Sequence, residues 1–276
     1  MHVQDALTVL GFQVPITSEF TAATQRALAA FEDSRAISRI GVADARTWQL
    51  LVTWCNSSLS TQQFWLDAGW PQGILAVETL TCLHNAGFVY ATFECWRGRP
   101  GQEALNGWWG ECLDNVANAR AAGFLHVGVY MWPQREKDPN MQASSLLSHL
   151  EANRTAYDVL MLDIEGDNWY NHSQAENRAF ILALVGALEA RGVRLAIYCN
   201  WVWPSYFGAD FTALSRLPLI YAHYDNIPSF VDVHDTLFGG WAAASGKQFW
   251  DGGAGETICS SGALDWDWSA APWWLP

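Results

Sequence analysis

Apolar residues recur at helical spacing in three short stretches at the start of the chain: Val3, Leu7 and Leu10; Phe20, Leu28 and Phe31 with Thr24; and Trp48 with Leu51. Between them Gly11 to Thr17 and Asp33 to Gly41 lose the period and carry Pro15, Gly41 and several Ser and Asp, which is turn chemistry. The pattern predicts a small three-helix all-α unit over residues 1–55. The run Asn56 to Gln63 is polar, uncharged and aperiodic, and predicts a linker over 56–63. From Phe64 onward, over 64–276, the texture changes to short apolar runs alternating with longer helical patterns. The runs are Phe88 to Phe93, Leu125 to Met131, Val159 to Ile164, Leu195 to Cys199 and Leu219 to Ala222. Helices are predicted at Leu75 to Ala86, Cys112 to Ala122, Met141 to Ala156 and Gln174 to Ala190. Gly87, Gly123 and Gly192 each fall just past a helix and before a strand, where helix-ending glycines belong. Repeated βα units of this kind make a parallel sheet. After about Gly239 only short strand-like pieces remain, Lys247 to Trp250 and Leu264 to Trp266. The expected architecture is therefore a barrel-like α/β fold whose last strands lack helices.

Composition narrows the class of ligand. Lys and Arg total 15 against 28 Asp and Glu, a formal charge of −13, which leaves no basic footprint for nucleic acid. With 17 Trp and 8 Tyr, the chain is suited to grip an uncharged polymer by stacking and hydrogen bonds. The longest apolar stretch, Ala179 to Ala190, is too short to span a bilayer, so no membrane partner is expected. Met1-His2-Val3 leads into an amphipathic pattern without a charged region followed by an apolar one, so a secretion signal is expected to be absent or already removed. The six cysteines (Cys55, Cys82, Cys95, Cys112, Cys199 and Cys259) are even in number and contain no CxxC pair. They read as disulfides of a secreted protein, the alternative being isolated buried thiols in a cytosolic one. Six cysteines allow 15 pairings. A bridge from Cys95 to Cys112 would stiffen the loop holding Gly98 to Gly101. No HExxH, no His cluster and no Gly-rich phosphate loop is present, so no cofactor and no metal is expected.

The most informative stretch is Asp158-Val-Leu-Met-Leu-Asp163-Ile-Glu165-Gly166, an apolar strand ending in two carboxylates two residues apart. The pleat puts both on one side, about 6.5–7 Å apart along the strand. At the carboxyl end of a barrel strand they would project into the mouth, where crowding and burial raise one pKa and leave the other acid ionised. Glycoside cleavage needs that division, one acid for the leaving oxygen and one carboxylate for the oxocarbenium-like centre. The plainer alternative is a strand end with two solvated acids.

Five ordered motifs extend this reading: Leu162-Asp-Ile-Glu-Gly166, Val129-Tyr-Met-Trp-Pro133, Tyr221-Ala-His-Tyr-Asp-Asn226, Phe238-Gly-Gly-Trp241 and Ala263-Leu-Asp-Trp-Asp-Trp268. Over Phe64 to Pro276 they resemble, in order and spacing, the family 25 glycoside hydrolases, most of all the muramidases of nematodes and amoebae. The resemblance implies an irregular TIM-like (β/α) barrel with Glu165 as general acid, Asp163 as the assisting carboxylate and Asp265 as a further active-site acid. Asp67-Ala-Gly-Trp-Pro71 matches the family's opening motif and makes Asp67 the fourth acid, although it stands farther from Cys82-Leu83 than is usual. The same likeness places Tyr130, Trp132, Tyr221, His223 and Tyr224 against the substrate. Each ring could equally be core packing, and His223 a structural histidine.

The first segment resembles the three-helix peptidoglycan-binding domain of cell-wall hydrolases, through Ser18-Glu-Phe20, Thr24, Ala27, Leu28, Phe31, Glu32, Gly41-Val42 and Thr47-Trp48 with Leu51. Thr21 stands where that family usually has Gly. The two likenesses together imply a secreted, monomeric lysozyme acting on peptidoglycan, cutting the β-1,4 bond after N-acetylmuramic acid with retention. Tethering by a wall-binding module would raise the local substrate concentration. A catalytically silent glycan-binding protein and a hydrolase of a chitin-like polymer are the alternatives.

Overall fold

The computed structural model describes residues 3–4, 7, 12, 20–34, 47, 50–51, 63–97, 110–233, 237–252 and 259–275. Of the first segment, one helix is described, α1 (Ala22–Ser34). Ala27, Leu28 and Phe31 are buried on one face of it, and Thr47 donates a hydrogen bond to Glu32 at 3.1 Å. The expected linker and Cys55 lie outside the described residues, except that Gln63 already opens the first strand.

The rest of the described chain is an eight-stranded closed barrel. Its strands are β1 (Gln63–Ala68), β2 (Phe88–Arg97), β3 (His126–Trp132), β4 (Leu160–Asp163), β5 (Leu195–Cys199), β6 (Leu219–Ala222), β7 (Gly246–Trp250) and β8 (Asp265–Ser269), neighbours in chain order. β1 to β7 pair in parallel, whereas β8 runs antiparallel to both β7 and β1. The helices α2 (Val77–Asn85), α3 (Glu111–Ala121), α4 (Pro139–Ala152) and α5 (Gln174–Glu189) fill the first four crossovers, and the short α6 (Trp203–Phe207) the fifth. Among the described residues no helix follows β6 or β7. The apolar runs did not single out β1 or α6.

Local chemistry sets these boundaries. Asp138 caps α4, accepting from the Met141 N–H at 2.8 Å, and Pro139 takes the first helical position. Ser173 and Glu176 form a reciprocal capping box at the start of α5. Gly87, Gly123 and Gly192, with φ of 99°, 103° and 74°, turn the chain from helix towards strand in a conformation that side chains with a Cβ rarely adopt.

Strand alternation divides the barrel into two cores. Leu160 and Leu162 of β4 and Ile197 and Cys199 of β5 belong to the outer core with Ile181, Leu184 and Leu188 of α5. Met161, Ala196 and Tyr198 belong to the inner core with Trp65, Tyr90, Tyr130, Ile220 and Trp274. The floor is aromatic: Trp274 stacks on Tyr90 with centroids 4.6 Å apart, and Arg194 binds the Trp274 carbonyl at 2.7 Å.

Two disulfides tie the crossovers down. Cys95–Cys112 joins β2 to α3, and Cys82–Cys259 joins α2 to the segment entering β8 across 177 residues. The reading of all six cysteines as bridged is corrected at Cys199, a free thiol buried in the outer core, where strand parity points it away from solvent.

Candidate functional site

The carboxyl ends of the parallel strands surround an open cavity of about 630 Å³. Antiparallel β8 begins at this mouth, and its first residue, Asp265, pairs in register with Asp67 of β1. Asp163 ends β4, and Glu165 follows two residues on. All four acids line the cavity, together with Tyr130, Trp132 and Tyr224. Seven of the nine residues singled out from the sequence are thus brought together.

Tyr221 and His223 are not among them. Ile220 and Ala222 occupy the inward positions of β6, so alternation turns Tyr221 to the outer face. There its hydroxyl donates to both carboxylate oxygens of Asp232 at 2.8 Å. His223 Nδ1 pairs with the same carboxylate, and buried Lys247 Nζ lies 2.7 Å from Asp225 and 3.1 Å from Asp232. Burial acts upward on Asp232, but the bonds from His223, Tyr221 and Lys247 outweigh it and bring its pKa down to about 2. His223, Asp225 and Asp232 present ligand atoms within 4.8 Å of one another, as a metal site would. Lys247 already supplies the positive charge there, so the set works as a salt-bridge cluster bracing the loop after β6.

Two residues that sequence reasoning missed organise the acids. Gln248, inward-facing on β7, donates from Nε2 to Asp67 Oδ2 at 2.5 Å. Its Oε1 accepts from the hydroxyls of Tyr198 at 2.6 Å and Tyr224 at 2.9 Å, and these phenols lie 3.1 Å apart. Burial, then nearby acids, pushes both phenols well up, so they stay protonated and donate. The amide orientation follows: acceptor to the phenols, donor to the carboxyl. The signal was an amide side chain at an inward position of a barrel strand, beside the outward Lys247.

The acids are not equivalent. Burial raises Asp67 well above the ordinary carboxylate range, and the negative charge of Asp265 adds to it while the Gln248 bond acts against it. Burial, then Asp251 and Glu165, pushes Asp265 up to about 7. Deeper in the barrel Asp267, fully buried and with no hydrogen-bond partner for either oxygen, is driven up by burial first and then by Asp67 and Asp265.

The loop after β1 is pinned by a buried fork. Arg97 gives Nε and Nη2 to the Glu94 carboxylate at 2.8 and 2.5 Å, and Glu94 also accepts from the Trp70 N–H at 3.0 Å. Gly69 passes so close that a Cβ there would lie 2.4 Å from the Tyr130 hydroxyl and 2.8 Å from Glu94 Oε2. On the other side Gly166, at φ 91°, lets the chain cross the face of Trp132, and Tyr206 of α6 donates to its carbonyl at 3.0 Å. The backbone beside Glu165 is therefore held from α6.

Comparison with known proteins places this architecture. The family model described as "Lysozyme-like protein 1" matches residues 71–249. The chain belongs to this lysozyme-like family. "Probable GH family 25 lysozyme 2" of Dictyostelium discoideum is 37% identical over 179 residues, 64% of this chain and 80% of that one. "Lysozyme-like protein 5" of Caenorhabditis elegans is 32% identical over 181 residues, again 64% and 80%. Among solved structures, a family 25 glycosyl hydrolase from Bacillus anthracis superposes with a TM-score of 0.57 at 13% identity, covering 76% of this chain and 89% of that one. The modular autolysin LytC from Streptococcus pneumoniae, solved with a synthetic peptidoglycan ligand, gives 0.57 at 12% identity over 75% and 46%. At these identities the structural likeness speaks for the fold of the lysozyme-like chain and nothing finer.

Proposed function

We propose that this lysozyme-like chain is a secreted muramidase, a monomer that hydrolyses the β-1,4 bond between N-acetylmuramic acid and N-acetylglucosamine in bacterial peptidoglycan with retention. The observation that carries the reading is the gathering of Asp67, Asp163, Glu165 and Asp265 with Tyr130, Trp132 and Tyr224 around one mouth-facing cavity. Relatives named as family 25 lysozymes support the reaction class, and the two disulfides support an oxidising compartment. In the resemblance to peptidoglycan-binding domains, residues 1–55 hold the wall polymer.

Each group has a task in this reaction. Glu165 protonates the leaving glycosidic oxygen as the substrate's own acetamido oxygen bonds to the anomeric carbon, and Asp163, buried at the end of β4, supports the positive charge that develops. Water, deprotonated by Glu165, then displaces that oxygen, which gives retention. Asp265 and Asp67, held towards their neutral forms, donate hydrogen bonds to sugar oxygens without adding charge beside the working pair. Gln248 and the two phenols fix Asp67 in place. The rings offer flat apolar faces with polar edges, which suit the two sides of a pyranose.

Glu165→Gln tests the reading. It should cut the release of reducing ends from purified peptidoglycan by at least about 100-fold, with the far-ultraviolet circular dichroism unchanged. Binding of the wild type to insoluble peptidoglycan without any release of reducing ends would instead identify a silent glycan binder. Faster cleavage of chitin than of peptidoglycan would reassign the substrate.

A further inference from the structure

The motif Phe238-Gly-Gly-Trp241 takes no part in the catalytic cavity. Its Phe238, Gly239 and Gly240 line a second opening of about 590 Å³ together with Trp201, Pro204, Ala209 and Leu237, and no charged side chain lines it among the described residues. Trp201 stands just past the end of β5, where Tyr198 is in register with Asp163, and so at the same mouth as the acids. Trp201 is 76% exposed, an unusual setting for the largest apolar side chain. The floor is built to be flat. Trp241 N–H closes a turn onto the Phe238 carbonyl at 3.2 Å, with Gly239 and Gly240 at φ 59° and 78°. A Cβ on Gly239 would fall 2.5 Å from the Trp241 ring and 2.7 Å from Trp203 Nε1; one on Gly240 would fall 2.6 Å from Thr212 Cγ2. Beneath lies fully buried Trp203, its ring centroid 4.4 Å from that of Phe207, 5.0 Å from that of Trp241 and 6.0 Å from that of Phe238.

One helix joins this shelf to the catalytic centre: α6 supplies Pro204 to its wall and Tyr206 to the backbone carbonyl beside Glu165. We propose that the shelf is a remote sugar subsite, where a pyranose of the same glycan strand stacks on Trp201 while the bond to be cut lies among the acids. The inference rests on the glycan reading above. A wall of one open aromatic face and a glycine turn, with no charged lining side chain among the described residues, matches a ring with an apolar C–H face and hydroxyl edges. The place of Trp201 past the carboxyl end of β5, on the barrel end that holds the acids, favours a further segment of the substrate over an unrelated partner.

The test compares Trp201→Ala and Trp201→Phe with the wild type on long, peptide-free peptidoglycan strands and on the tetrasaccharide of two disaccharide repeats. The ratio of kcat/KM on long strands to that on the tetrasaccharide should fall about 10-fold in Trp201→Ala, the upper end of what one aromatic stacking contact contributes, and recover most of the way in Trp201→Phe. An unchanged ratio would overturn the subsite. Calorimetric titration of long strands into the Glu165→Gln background, with and without Trp201→Ala, separates this outcome from failure of the muramidase reading. Tighter binding with Trp201 present supports the subsite even where no bond is cut, and equal binding overturns it. Self-association of the wild type that Trp201→Ala abolishes would assign the shelf to a second copy and overturn it as well.

Discussion

Asp265→Asn probes the electrostatics of the mouth through stability. The Asp265 carboxyl titrates at 3.8 in an ordinary setting and at about 7 in the fold, because burial, then Asp251 and Glu165, disfavours its charge. Between those values the folded chain holds a proton that the unfolded chain has released, so unfolding free energy falls as pH rises. A rise of roughly three pKa units corresponds to about 4 kcal/mol at most, present below pH 4 and lost by about pH 7. Asparagine has the same shape and no proton to lose, so this share of the slope disappears. Asp67 and Asp267 are raised in the same direction and keep the remainder. Urea unfolding at pH 4, 5, 6, 7 and 8 reads the difference. The variant should match the wild type near pH 4 and exceed it by a few kcal/mol at pH 8. Parallel curves, offset by a constant across the series, would refute the placement of Asp265 as a desolvated acid beside other acids.

Gln248→Leu removes the donor to Asp67 and leaves the Tyr198 and Tyr224 hydroxyls without their shared acceptor. Steady-state kinetics should show kcat down at least about 10-fold, and chemical unfolding a loss of about 1–3 kcal/mol. Tyr221→Phe should behave oppositely, since its hydroxyl serves Asp232 outside the cavity: about 1 kcal/mol of stability lost and kcat within about twofold of wild type. A large kcat effect there would contradict the outward placement. Cys82→Ser opens the bridge across 177 residues and should cost about 2–5 kcal/mol in unfolding experiments under oxidising conditions.

Much of the barrel was legible because its strands are buried on both faces and so read as unbroken apolar runs. β2 through β6 start within one residue of the predicted positions, and glycines with positive φ mark the ends of α2, α3 and α5. β1 was harder to see, since Gln63-Phe-Trp-Leu-Asp-Ala68 holds only three consecutive apolar residues between Gln63 and Asp67. Apolar content also hid parity. Tyr221, His223 and Tyr224 look alike as candidates, yet alternation from inward Ile220 and Ala222 sends Tyr221 and His223 to the outer side and Tyr224 to the mouth. Gln248 escaped notice for a related reason: Lys247 beside it is the more conspicuous polar residue, and it faces outward.

The direction of β8 gives one sequence pattern two meanings. Asp163-Ile-Glu165 and Asp265-Trp-Asp267 are both acids two residues apart, and alternation places each pair on a single face. On parallel β4 the chain runs out of the barrel, so the second acid, Glu165, stands nearer the solvent and can meet a substrate. On antiparallel β8 the chain runs inward, so the first acid, Asp265, reaches the mouth while the second pairs with Trp65 and Gln248 beneath it. Asp267 is consequently sealed off with both oxygens unpartnered, a setting in which a carboxyl keeps its proton. Kept neutral there, it adds no charge below Asp67 and Asp265, and the electrostatic division within the site follows from strand direction as much as from the identity of the acids.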